Sequence, residues 1–250
     1  IIPNNLFNKA KMNCLITGGG GYVGTKLVNM LIELGNKVRV IDLFWFGNYF
    51  EKDKNLEIIK KDVREINEDD LRDIDLLFHF ASIANDPASR LDQSLCWDIS
   101  VTSTLRIMQL IEKRREKIRI IYASSASVYG VREESRVTEE LDPVPITTYN
   151  KAKIASEKII LSYKDIIDYV IVRPATVCGI SPRMRFDVAV NLLTEQSHRM
   201  KEINVLGGNQ YRPNVHIDDL VKAYVHFMNY TNLSGIYNVG FENMTINEIA

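Results

Sequence analysis

Apolar residues in this chain fall into short unbroken runs separated by stretches with the three-to-four spacing of a helix. Cys14-Leu15-Ile16 runs into Val23, Leu27, Met30, Leu31 and Leu34 at helical spacing. Lys37 to Asp42 is a second run, Leu56 to Val63 a third, Ile74 to Phe80 a fourth and Ile118 to Ala123 a fifth. Helical patterns follow the third and fourth, and Arg90 to Lys117 reads as one long helix. Continuous apolar runs suit strands buried on both faces, and their alternation with helices predicts an α/β fold with a doubly wound parallel sheet. Ligands of such sheets sit beyond the carboxyl ends of the strands, where Gly18, Asp42, Ala81 and Ser124 fall.

The pattern changes after about Pro174. A loop with Pro182 precedes a helix near Phe186 to Met200, then a short strand from Ile203 to Leu206 and the turn Gly207-Gly208. This predicts a sheet domain over 12–174 and a smaller, interleaved substrate lobe over 175–250, laid across the crevice. Ile1 to Lys11 is polar and irregular, which reads as disordered or added sequence with Met12 close to the natural start. At the other end, Thr245 opens a helix whose first turn is all that Ile246 to Ala250 supplies, so the C-terminus reads as incomplete.

The 250 residues are 46% hydrophobic and 25% charged, the composition of an ordinary soluble protein, with a formal net charge of −1. Mixed charge gives no footprint for nucleic acid or an anionic membrane. The cluster Glu112 to Lys117 reads as a solvated helix end, and no stretch has the length of a membrane span or the core of a signal peptide. Cys14, Cys96 and Cys178 are far apart and odd in number, which suits a reducing compartment and a cytoplasmic enzyme. Cys178 reads as a small buried residue, and His79, His198, His216 and His226 show no ligand spacing, so no metal is assigned.

The first turn carries the chemistry. Gly18, Gly21 and Gly24 are spaced G-x-x-G-x-x-G between strand and helix, which describes a pyrophosphate cradle of the Rossmann type at a helix N-terminus, with Tyr22 and Val23 in its first turn. Asp42 closes the second strand roughly twenty residues on. A carboxylate there accepts from the adenosine ribose hydroxyls and repels a 2′-phosphate, predicting NAD over NADP. After the fifth strand come Ser124 to Gly130 and a helix opening with Tyr149-Asn150-Lys151-Ala152-Lys153. Tyrosine and lysine four apart share one helix face, so the Lys153 ammonium, with an oxidised nicotinamide, brings the Tyr149 phenol toward neutrality and makes it a general base. Ser125 shares the substrate hydroxyl's hydrogen bonding.

Together these residues resemble the extended short-chain dehydrogenases/reductases, in the branch of NAD-dependent sugar-nucleotide epimerases and dehydratases. The resemblance runs from Met12 to near the end. It rests on the glycine turn with Thr17, Asp62-Val63, His79-Phe80-Ala81-Ser82, Ser124 to Gly130, Tyr149-x-x-x-Lys153, Arg173 to Gly179 and Arg212 to His216. It implies that Asp62 and Val63 border the adenine, that Phe80, Ala81 and Ser82 lie along the cofactor, and that Lys153 holds the nicotinamide ribose with Pro174 near the ring. It implies too that Thr176, Asn191 and Arg212 belong to the substrate site, with Arg212 suited to a diphosphate.

Departures bear on the chemistry. Relatives that dehydrate or decarboxylate carry acids where this chain has Ala126 and Ser127. Thr176, Cys178 and Ser100 replace the asparagine, tyrosine and asparagine common in epimerases. A 4-epimerase of a nucleotide-diphosphate sugar is the expected function, with an NAD(P)H-dependent 4-ketosugar reductase and a non-catalytic dinucleotide sensor as alternatives. The resemblance also implies a homodimer through the two helices before and at the Tyr-x-x-x-Lys motif, where Leu105, Met108, Ile111, Ile154, Ile159 and Ile160 look surplus to the core.

Overall fold

The computed structural model describes residues 11–114, 117–134 and 136–250. The expectation for the N-terminal segment falls almost wholly outside them, as do Arg115 and Glu116 of the charged cluster. Of the rest of that cluster, Lys113 is exposed and Arg114 turns back to the Leu71 carbonyl.

Seven strands form one parallel sheet: β1 (Asn13–Thr17), β2 (Lys37–Asp42), β3 (Leu56–Lys60), β4 (Leu76–His79), β5 (Arg119–Ala123), β6 (Asp168–Pro174) and, after β7 (Thr176–Cys178) and β8 (Tyr211–His216), β9 (Gly235–Val239). Their spatial order is β3-β2-β1-β4-β5-β6-β9, with every neighbouring pair parallel. The order reverses between β1 and β4, so the chain leaves β1 and β4 in opposite directions and opens a crevice at their carboxyl ends. A second sheet, β10-β8-β7, uses β10 (Glu242–Thr245).

Both faces of the large sheet are covered, as its unbroken apolar strands require. On one face α1 (Tyr22–Glu33) packs Leu27, Val28 and Leu31 with Leu220 and Tyr224 of α7 (Ile217–Asn229). On the other, α4 (Ser103–Glu112) and α5 (Thr148–Ser162) bury Ile107, Met108 and Ile160. The long helix expected over 90–117 is instead α2 (Asp86–Leu91), α3 (Gln93–Trp97), a wider-wound turn over Asp98–Thr102, and α4. Asp92 makes the break: its backbone is extended, and its side chain accepts from the Leu95 amide to start α3 afresh.

Other boundaries move for similar reasons. β3 stops at Lys60 because Asp62 caps a short turn over Val63–Glu65, and short turns rather than a full helix lead on to β4. No strand forms over 203–206, where the run meets no partner, and α6 spans Ala189–Met200. Thr245 does open a helix, α8 (Ile246–Ile249), through a capping box with Glu248. Of the six residues expected to be surplus, Met108, Ile111, Ile154 and Ile160 are buried and Ile159 packs against the core, which leaves Leu105 exposed. Most of the apolar positions inferred for a dimer are thus packed within the monomer.

Candidate active site

The crevice is a cleft of about 470 Å³ lined by Gly18, Asp42, Ala81 and Ser124, the four strand ends that sequence pattern brings together. Gly18 sits at φ +73°, and a Cβ on it would lie 2.6 Å from the Ala81 amide. Gly24 presses α1 onto the turn so closely that a Cβ would lie 2.6 Å from the Gly19 carbonyl. Gly21 differs, since a Cβ there would meet the Gly18 carbonyl at 3.2 Å and otherwise fill open cleft. Helix α1 begins with no side-chain cap and no acidic residue in its first turn. The hollow before Gly21, Tyr22 and Val23 therefore fits a pyrophosphate. Tyr22's side chain points elsewhere, donating to the Gly179 carbonyl at 2.6 Å.

Asp42 accepts from the Gly20 amide at 2.9 Å and the Phe44 amide at 2.7 Å, which fixes its carboxylate at the cleft wall. Asp62, Val63, Phe80, Ala81, Ser82, Pro174 and Thr176 all line the cleft. The guanidinium of Arg64 beside Asp62 holds that carboxyl below its usual range.

At the inner end, Ser125 caps the turn Ala126–Tyr129 and pairs with Ser127 Oγ at 2.8 Å, close enough to Tyr149 to draw its pKa down. Lys153 is 2% exposed; its Nζ donates to the Ala123 carbonyl at 2.6 Å and lies 5.8 Å from the centre of the Tyr149 ring. Burial brings the Lys153 ammonium down to about 8. It also pushes the Tyr149 phenol up to about 12, against the pull of Ser125 and of Arg185. In the protein alone, then, the phenol lies well above neutrality.

Two sequence-derived substrate residues lie away from this cleft wall. Asn191 is 7% exposed and fully engaged: Oδ1 accepts from the Gly179 amide, while Nδ2 donates to Tyr22 Oη and the Arg185 carbonyl. Arg212 is exposed on β8, outside the cleft lining. Residues that pattern reading missed line the cleft from the loop between β7 and α6. Arg185 forks onto Asp187, whose carboxyl it holds at about 2, and Asp187 accepts from Asn85 at 2.7 Å. Their signal was the run Arg183-x-Arg185-x-Asp187 beyond a strand end.

Glu157 was missed as well, though Tyr149, Lys153 and Glu157 at i, i+4 and i+8 share one face of α5. It forms a buried fork with Arg173, which also donates to Tyr129 Oη, and it accepts from Ser124. This network underlies the strand end that carries Ser125. His79 is bonded between Thr17 and Thr104, and burial keeps it neutral, with a pKa lowered to about 3. Cys178 is half-buried, with its thiol pushed up by burial. No helix of the described residues is long and apolar enough to cross a membrane.

The model of the NAD dependent epimerase/dehydratase family matches residues 14–240. The chain belongs to this family. It is 34% identical over 233 residues to an uncharacterized protein of Sinorhizobium fredii, covering 90% of this chain and 55% of that one. To UDP-glucose 4-epimerase of Lactobacillus helveticus it is 27% identical, covering 96% of this chain and 81% of the relative. Among solved structures, UDP-glucuronic acid 4-epimerase from Bacillus cereus, in complex with UDP-glucuronic acid and NAD, superposes with a TM-score of 0.86 at 27% identity. That superposition covers 94% of this chain and 80% of the other. The glycine turn and the Ser-Tyr-Lys corner described above both fall within the matched residues.

Proposed function

We propose that this chain is the catalytic part of a 4-epimerase of a UDP-sugar, or of a closely related nucleotide-diphosphate sugar. The glycine turn, Asp42 and Lys153 would hold NAD, which would supply an acceptor and later a donor of hydride at the sugar carbon. Tyr149 as phenolate takes the proton of the sugar hydroxyl, and Ser125 hydrogen-bonds the same oxygen. Lys153 keeps positive charge beside the phenolate. The 4-keto sugar then turns in the cleft, and Tyr149 returns the proton to the oxygen on the opposite face.

One observation carries epimerisation over dehydration. The acids that line the cleft are Asp42, Asp62 and Asp187. Two amides engage the first, Arg64 the second and Arg185 with Asn85 the third. Ala126 has no polar side chain, and the Ser127 hydroxyl donates to Asn150 at 2.7 Å. The carboxyl whose charge reaches Tyr149 is Asp86, and it accepts from the Thr147 hydroxyl, so among the described residues every acid near the reaction end is engaged and the site is better equipped to remove and replace one hydrogen than to expel water. A panel of UDP-, GDP-, CDP- and dTDP-sugars tests the reading. Inversion at C4 with NAD retained supports it, while loss of water, or an empty or NADP-loaded protein consuming reductant, replaces it with a dehydratase or a ketosugar reductase.

A further inference from the structure

The loop between β7 and α6 crosses the cleft and is tied to the sheet domain at three places. At its start, Gly179 accepts from Tyr22 Oη, and Ser181 Oγ donates to the Tyr22 carbonyl at 2.7 Å and pairs with Thr25 Oγ1 at 2.9 Å. At its end, Arg185 reaches the Ala84 carbonyl and Asp187 the Asn85 amide. Between them, the Arg183 guanidinium lies 4.0 Å from the centre of the Phe46 ring. We propose that Arg183 and Phe46 are a further cofactor contact, a clasp across the adenosine end of the cleft that slows release of the dinucleotide.

Position supports this. Phe44, Trp45, Phe46 and Arg183 line the cleft together with Asp42, and the charges of Tyr49 and Asp42 act on the Arg183 guanidinium. Trp45 and Phe46 are 59% and 62% exposed. Large aromatics left this open on a surface mark a contact that has yet to be made.

The loop is also shaped for the task. Phe44 has φ 54°, a left-handed conformation disfavoured for a bulky residue. Its amide is fixed on Asp42, and its ring stands edge-on to Phe50 at 6.4 Å. That turn carries the following residues out over the cleft. Of the three ties, the outer two use hydrogen bonds, those of the first reaching fully buried Thr25 and nearly buried Ser181. The middle one is a single exposed stack, the natural place to open.

The inference rests on the cleft holding a retained NAD, and the test separates the two. Protein loaded with isotope-labelled NAD is chased with unlabelled NAD, comparing wild type with Arg183→Ala, Phe46→Ala and the double variant. Each single variant should release label about two- to fivefold faster. The double should be no faster than the quicker single, because one stack is lost in all three. The surface variant Arg199→Ala should match wild type. Unchanged release in both singles, or multiplying effects in the double, overturns the clasp. Should wild type exchange NAD within mixing time, cofactor retention fails as a reading. The NAD dissociation constants then decide the clasp, with a two- to fivefold weakening in the singles sustaining it and equal constants rejecting it.

Discussion

On the dinucleotide side of the cleft nearly every determinant is main chain: the left-handed Gly18, the close approach at Gly24, and amides of Gly20 and Phe44 on Asp42. On the opposite side, side chains are held by other side chains, as Arg185 by Asp187, Asp187 by Asn85 and Ser127 by Asn150. A main-chain site admits few sequences and recognises one kind of ligand. A site built of paired side chains can be rebuilt by two substitutions at a time, and the proposed function puts the choice of sugar on that side.

The sharpest break should come where the two sides meet. Tyr149→Phe keeps the ring and removes the ionisable oxygen, so turnover should fall by roughly 10²–10⁴-fold with NAD still bound. Lys153→Met should follow with some loss of NAD affinity, and Ser125→Ala should cost less. Undiminished reduction of bound NAD by the phenylalanine variant, with any sugar nucleotide that wild type accepts, would sink the mechanism.

Beneath the site, Glu157→Leu strands the buried Arg173 guanidinium and should cost about 3–5 kcal/mol in denaturant unfolding, largely recovered by adding Arg173→Met. A cost below about 1 kcal/mol would mean that the pair bears little of the strand end. On the side-chain half, Asn191→Ala orphans the Gly179 amide and should lose about 1–3 kcal/mol, whereas exposed Arg212→Ala should stay within about 0.5 kcal/mol. Equal losses would erase the distinction drawn between them.

Two smaller effects probe the main-chain half. Asp42 should favour NAD over NADP by at least about tenfold, roughly 1.4 kcal/mol, in direct titration; equal affinities would mean that its carboxylate does not face the ribose. The last concerns Lys153 in cofactor-free protein. Its ammonium falls from 10.5 to about 8 on burial, so between those values the unfolded chain holds a proton that the folded chain has lost. Its contribution to stability therefore rises with pH across that window and is least favourable below it. Relative to Lys153→Met, wild type should gain stability from pH 8 to 10.5. A flat difference would mean that the lysine stays charged.

Legibility followed the same division. The glycine turn, Asp42 and the Ser-Tyr-Lys corner could be read because steric necessity and fixed helix spacing leave a trace in one dimension. Asn191 and Arg212 were placed by resemblance alone; in the structure the first braces the loop before α6 and the second is exposed on β8. Arg183, Arg185 and Asp187 gain their roles from contacts more than a hundred residues away, which no local pattern carries. The split of the expected long helix, by contrast, was written at Asp92, whose capping side chain a purely apolar pattern overlooks.

Strand β9 imposes an order of assembly. It pairs with β6 through Val170–Gly235 to Pro174–Val239, so the large sheet is finished only after the chain has traversed most of the small lobe and come back. Contacts of such sequence separation form late and slow the search for the native topology. A nascent chain released near Pro174 would expose the whole edge of β6 as unpaired amides and carbonyls flanked by Val170, Ile171 and Val172, a template for pairing with other chains. Dissecting the protein at its apparent lobe boundary should thus yield aggregates rather than a dinucleotide-binding domain, and a separable cofactor module would have to carry residues 235–239 with it.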